Sequence, residues 1–331
     1  MSLKKILLIL AVSFCAAGVQ GAERVICGYV AHSATDSINP QYVNRLIFSY
    51  MEVDSTLTGV RLKNPERLRY VASLRKNRPD LEVMVSFGGN PGLLSRAMRD
   101  DSLRSKVVGA IRSIVDEYGL DGIDVDWEFP GRGDGALTEK EDVANFVKLL
   151  SDLRTVLGDD KILTIACAGS GYGVDYQAMS QILDQFNIMA YDMGTPPSHH
   201  SALYKSERVS WLSADQSVTN FLNGGVVPAK IVLGMPFYGR GGTAYKDFTE
   251  WRHIKMPDGA KECYDAEAEV PWIADAEGNM IFSYDNPYSL KKKCEYIRQK
   301  QLAGGMYWRI EEDDDSQTLG RTVYEELKES E

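Results

Sequence analysis

Short apolar runs recur along the chain, and most lead into stretches whose apolar residues return every three or four positions. Eight runs read as strands: Val25–Val30, Arg45–Met51, Glu82–Phe87, Gly122–Trp127, Lys161–Cys167, Gln185–Tyr191, Lys230–Met235 and Gly304–Trp308. Between them Pro65–Lys76, Asp101–Tyr118, Lys140–Val156, Tyr176–Leu183, Ser217–Leu222 and Tyr288–Gln301 carry the helical period. Strands that alternate with helices build a parallel sheet covered by helices. Eight such units predict a closed (β/α)8 TIM barrel rather than an open doubly wound sheet, and no Gly-rich phosphate loop follows the first run. No linker or low-complexity stretch divides residues 22–331, so a single domain is expected.

The fourth run carries candidate chemistry. Along a strand, side chains alternate faces, so Asp124, Asp126 and Glu128 project to one side and Ile123, Val125 and Trp127 to the other. Carboxyls in such a row raise one another's pKa, and the outermost is best placed to keep a proton and act as a general acid. Taken alone, the row also suits a solvated acidic edge or a carboxylate cage for a divalent cation. In a barrel, catalytic groups sit at the carboxyl ends of strands, which puts Glu128 at the mouth and Asp126 and Asp124 successively deeper.

Charge and targeting narrow the partners. Met1–Gly21 has Lys4 and Lys5, an apolar run Ile6–Ala17 and small residues before Ala22, the layout of a secretory signal peptide cleaved before Ala22. The run is too short to span a membrane, and a secreted or periplasmic protein with no membrane span is expected. Losing the two lysines takes the formal charge from −10 to −12, which disfavours nucleic acid and suits a neutral ligand such as a sugar. Cys27, Cys167, Cys263 and Cys294 are too few for a disulfide framework; buried thiols are expected, with Cys263–Cys294 the one pairing to check. His199 and His200 read as residues of a polar loop, spaced for no metal site with His32 and His253, and neither a metal nor a cofactor is expected.

Further motifs close other strands. Ser86-Phe87-Gly88-Gly89 ends the third, its glycines suited to positive φ and close backbone approach. Met189-Ala190-Tyr191-Asp192 ends the sixth, with Met189 and Tyr191 facing inward together. Gly234-Met235-Pro236-Phe237-Tyr238-Gly239-Arg240-Gly241 ends the seventh, and Trp308 the eighth.

Asp121-Gly122-Ile123-Asp124-Val125-Asp126-Trp127-Glu128 resembles the DGxDxDWE signature of glycoside hydrolase family 18, the chitinase family, with every fixed position present. The strand-end motifs match the family too, and the resemblance runs from Val25 to about Leu327. It implies a monomeric, retaining, substrate-assisted hydrolase of β-1,4-linked N-acetylglucosamine chains, chitin or chitooligosaccharides. Glu128 would be the acid/base, Asp126 the residue that orients the substrate acetamido group, Asp124 its partner in sharing a proton, and Tyr191 the holder of the acetamido oxygen. Trp308 would be the floor beneath the scissile sugar. Met189, Asp192, Tyr29, Ser86, Gly88, Gly89, Asn90, Phe129, Tyr238 and Arg240 would complete the substrate-binding set.

Three departures bear on substrate. Asn90 stands where the family often has a Trp after SxGG, and Thr195-Pro196-Pro197 where its next loop often has another. Between the seventh and eighth strands, Gly242 to Phe282 leaves room only for a shortened form of the α+β module many members insert, or for a long ordered loop. Two alternatives follow: an endo-β-N-acetylglucosaminidase on N-glycan chitobiose cores, and a non-catalytic chitinase-like lectin, in which the Glu128 position is typically replaced.

Overall fold

A computed structural model describes residues 23–328; the expected signal segment and its cleavage point lie outside the described residues. All eight expected strands form: β1 Val25–Ala31, β2 Arg45–Val53, β3 Glu82–Gly88, β4 Gly122–Asp126, β5 Ile162–Ala168, β6 Gln185–Met189, β7 Ile231–Pro236 and β8 Gly304–Trp308. Each pairs in parallel with its neighbours, and β1 bonds both β2 and β8, which closes the barrel. Two ends fall short of expectation. β4 stops at Asp126, because its ladder with β3 ends at the Gly88–Asp126 pair and Gly89, at φ 95°, turns β3 away. β6 stops at Met189 rather than Tyr191.

The helices that cover the barrel are α1 Pro65–Ser73, α2 Pro91–Met98, α3 Asp101–Glu117, α4 Glu139–Leu157, α5 Tyr176–Ser180, α6 Ala214–Asn223, α7 Pro287–Gln299 and α8 Thr318–Lys328. Two of these, α2 and α8, were not expected. α8 had left a signal in Leu319, Val323 and Leu327, all buried and spaced four apart. α2 is only eight residues long and offered little period to read.

The alternation of β4 divides two cores. Ile123, Val125 and Trp127 point outward into the helix-covered core, where the Trp127 ring meets Phe146 of α4 at 5.4 Å. Such an aromatic pair contributes about 0.5–1.5 kcal/mol beyond area burial. The barrel interior is a separate cluster of Val25, Cys27, Tyr29, Ile47, Met84, Val232 and Met306. Met189, Tyr191 and Trp308 cap it at the mouth.

The segment between β7 and β8 is a small antiparallel sheet, not a loop. Its strands run Thr249–Glu250, Tyr238–Gly241, Met280–Ser283, Val270–Ala274 and Lys261–Asp265 in spatial order. Buried polar contacts fasten it to the chain after β6, where His199 and His200 lie in a loop as expected and are both fully buried. His199 Nε2 meets Asp265 at 3.2 Å, and the backbone N–H of His200 donates to Ser283 at 3.2 Å. Beside them Lys293 Nζ and Ser201 Oγ both donate to Asp285, at 2.6 and 2.7 Å. Among the described residues all four cysteines are free: Cys27, Cys167 and Cys294 are buried, Cys263 is partly exposed, and Cys263 is not bonded to Cys294.

Candidate active site

Gly122, Asp124 and Asp126 point into the barrel as the period of two requires. At Gly122 a Cβ would lie 2.1 Å from the Ile162 carbonyl oxygen, so only glycine fits where the interior narrows. Above it Asp124 is fully buried and accepts four hydrogen bonds. One oxygen takes Thr164 Oγ1 at 2.6 Å and Asn187 Nδ2 at 3.1 Å. The other takes Tyr29 Oη and Ser86 Oγ, each at 3.1 Å. Burial pushes this carboxyl above its ordinary range, against the pull of the four donors.

Burial, then the charges of Glu128 and Asp124, drive the Asp126 carboxyl well above the ordinary range. Its Oδ1 is buried with no partner. In this arrangement both Asp124 oxygens accept from other donors, and among the described residues no hydrogen bond joins Asp124 to Asp126. Glu128 sits two residues beyond β4 at the solvent-open mouth. Its crowded surroundings, then the Asp192 charge, raise its carboxyl above the ordinary range, and Asp126 pulls the other way.

The other expected residues gather around this row. Gly88 is held small by close approach: a Cβ there would lie 2.4 Å from the Asp126 carbonyl oxygen. Gly89 takes the positive φ, so the two glycines divide the two duties. Trp308 lies over Tyr29, ring centroids 5.8 Å apart. Tyr191 is edge-on to Tyr238 at 6.2 Å. Burial, with the charges of Glu128 and Asp126, lifts the Tyr191 phenol so that it stays a donor. Asp192, at φ 55°, meets Arg240 at 2.7 Å. Burial would raise Asp192, but its cationic side wins and holds it below its usual range. The nearest His200 nitrogen is 3.8 Å from the same oxygen, too far for a hydrogen bond, so we assign Arg240 as the partner. Phe129 is half-buried, edge-on to Tyr172 at 6.2 Å.

Asn90 is exposed at the mouth, but its side chain is occupied: Oδ1 caps α2 by accepting from the Leu93 backbone N–H at 3.1 Å. Thr164 and Asn187, which hold Asp124, were not singled out from sequence. The signal existed, since stepping back two places from Met189 along β6 reaches Asn187. Among the described residues no cluster of three or more His, Cys, Asp or Glu is arranged to hold a metal ion, so the cage reading of the acid row has no support.

The family model described as glycosyl hydrolases family 18 matches residues 24–313. Mouse chitotriosidase-1 is 27% identical over 332 residues, covering 84% of this chain and 68% of that protein. Chitinase B of Serratia marcescens is 24% identical, covering 81% of this chain and 72% of that protein. Among solved structures, a family 18 N-acetylglucosaminidase from Paenibacillus barengoltzii superposes with TM-score 0.81 at 27% identity, over 92% of this chain and all of that one. A family match across the barrel, its acid row and the mouth residues leaves one assignment: the chain belongs to glycoside hydrolase family 18 and is a glycosidase.

Proposed function

We propose that this glycosidase is a secreted enzyme that cleaves β-1,4-linked N-acetylglucosamine chains, chitin or chitooligosaccharides, with retention and with help from the substrate's own acetamido group. The observation that carries the reading is the orphan Oδ1 of Asp126, a buried acceptor without a donor beside Glu128. Such an atom costs about 1–3 kcal/mol unless something donates to it, and an acetamido N–H is a donor of the right kind. In this reading Glu128 gives its proton to the glycosidic oxygen as the C1–O bond breaks. The acetamido oxygen attacks C1, and the positive charge of the resulting oxazolinium is stabilised through its N–H by Asp126. The Tyr191 hydroxyl donates to the oxygen that forms the new ring. Water then gives a proton to Glu128 and bonds to C1, which returns the acetamido group and completes two inversions. Asp124, held by four donors, is fixed in place beneath the row.

The intact acid row weighs against the lectin reading. The names of the relatives favour chitin-type chains over N-glycan cores: chitotriosidase, chitinase B and N-acetylglucosaminidase. A product profile on chitooligosaccharides and on a high-mannose glycopeptide, side by side, decides the substrate. Fully deacetylated oligomers should resist cleavage and a thiazoline analogue of the oxazolinium should inhibit. Efficient cleavage of the deacetylated chain would require a protein nucleophile and end this mechanism.

A further inference from the structure

The insertion sheet carries an aromatic ring that a folding argument alone would not leave open. Phe248 is 56% exposed and stands at φ 50°, a left-handed conformation that is uncommon for an aromatic residue. Its ring stacks on Tyr238, centroids 5.5 Å apart and 25° between planes, and the Arg240 guanidinium carbon lies 3.9 Å from its centroid. Tyr238 and Arg240 are two apart on one strand, so both reach the Phe248 ring from the same side of that strand, and Phe248 stays more than half exposed. Beside it lies a hollow of about 550 Å³, within the roughly 300–1,000 Å³ typical of small-molecule sites.

The charges around this hollow are unbalanced. Glu250, the acid of its lining, is already engaged by Arg309 at 3.3 Å, Arg252 at 2.8 Å and His253 at 3.3 Å. Asp247 is committed to Arg240 at 2.7 Å. Lys246 and Lys255 also line the hollow, and among the described residues neither forms an ion pair. Tyr245 Oη fixes the backbone of Lys255 by donating to its carbonyl and accepting from its N–H, at 2.8 and 2.9 Å. Two unneutralised cations beside an exposed aromatic ring thus stand in a protein of formal charge −10.

The hollow also adjoins the cleft. Arg309, which reaches Glu250, follows Trp308, and Tyr238 packs against Tyr191. The insertion follows β7 and Asn90 follows β3; these strands stand four apart in a closed ring of eight, on opposite sides of the mouth.

We propose that Phe248, Lys246 and Lys255 form a binding subsite, across the mouth from Asn90, for a sugar that carries a carboxylate. Its sugar ring would stack on Phe248 while the lysines meet the acid. This rests on the proposed function for the direction of the chain, since the side across from Asn90 is then the glycone side. Two sources share that chemistry: the lactyl ether of alternating N-acetylglucosamine–N-acetylmuramic acid chains, and a sialic acid on a glycan antenna.

Calorimetric binding to the Glu128→Gln protein tests it without relying on turnover. The probes are an N-acetylglucosamine–N-acetylmuramic acid hexamer, a sialylated biantennary glycan, carboxyl-reduced forms of both, and chitohexaose. At least one acidic glycan should bind roughly two- to thirtyfold more tightly than its reduced form, the scale of two exposed ion pairs, and added salt should shrink the gap. Adding Lys246→Ala and Lys255→Ala should erase the gap and leave the reduced glycan unchanged. Adding Phe248→Ala should weaken both forms. Equal affinity for acidic and reduced forms of both glycans, or a gap that survives the double lysine change, overturns the proposal. If the wild-type enzyme fails to cut chitohexaose while the gap persists, the proposed reaction fails and the subsite stands.

Discussion

After burial itself, the charge of Glu128 lifts the Asp126 carboxyl more than does that of Asp124, its neighbour on the same face of β4. Both Asp124 oxygens are saturated by Thr164, Asn187, Tyr29 and Ser86. Asp126 and Glu128 therefore titrate as a pair above the ordinary carboxyl range, and apparent pKa values belong to the pair rather than to either residue. Glu128→Gln should cut kcat by at least about 10²–10⁴-fold, the range for loss of a general acid, with sugar affinity nearly kept. Residual activity within tenfold of wild type would remove Glu128 from its role.

The alkaline limb of the rate profile should follow Asp192. A general acid works only while protonated, so activity is lost as pH rises through the raised pKa of the pair. The Asp192 carboxylate contributes to that elevation by like-charge repulsion. Asp192→Asn removes the charge, so Glu128 gives up its proton at lower pH and the alkaline limb of kcat/KM should move down. A limb that stays in place, or moves up, contradicts the assignment.

Much of this was legible in the sequence because β-strands report themselves through a period of two. That period put Asp124, Asp126 and Met189 on the inward side of their strands, where the structure has them, and the eight apolar runs gave the barrel. It failed where the chain leaves the sheet. His199 and His200 sit in a polar stretch that carries no period, so their burial under the insertion sheet could not be read. Asn90 keeps its exposed place after β3, but its capping duty went unread: an Asn before a Pro that opens a helix is a cap signal that the short α2 obscured.

Lys293 and Asp285 are both fully buried and 2.6 Å apart, where α7 meets the insertion and the chain after β6. Removing one partner leaves the other charged and unpaired in the interior, a loss of about 3–5 kcal/mol. Lys293→Met should therefore lower the denaturation midpoint sharply. Replacing Lys293 and Asp285 together with apolar residues should recover much of the loss; a single variant as stable as wild type would show that the pair contributes nothing.

Asn90 tests stability and substrate range at once. As the cap of α2 it satisfies the Leu93 N–H, and Asn90→Ala should cost about 1 kcal/mol, while Asn90→Asp should keep the cap. Asn90→Trp also loses the cap, but its indole would stand where the proposed leaving sugar lies. Stacking there should tighten binding by about 0.5–1.5 kcal/mol, mainly through apolar contact. The two effects are separable, because thermal unfolding reads the first and KM for a soluble hexamer reads the second. In the wild type the capped Asn90 gives the leaving sugar no aromatic face, and Thr195-Pro196-Pro197 supplies none beyond it. An enzyme that grips the leaving side weakly cannot readily lift a chain out of a crystal, so soluble oligosaccharides should be cut far better than crystalline chitin, and with little processivity. Asn90→Trp should narrow that difference while lowering the melting temperature. Equal release from crystalline chitin and from the soluble hexamer by the wild-type enzyme would mean that the leaving-side grip comes from elsewhere in the cleft.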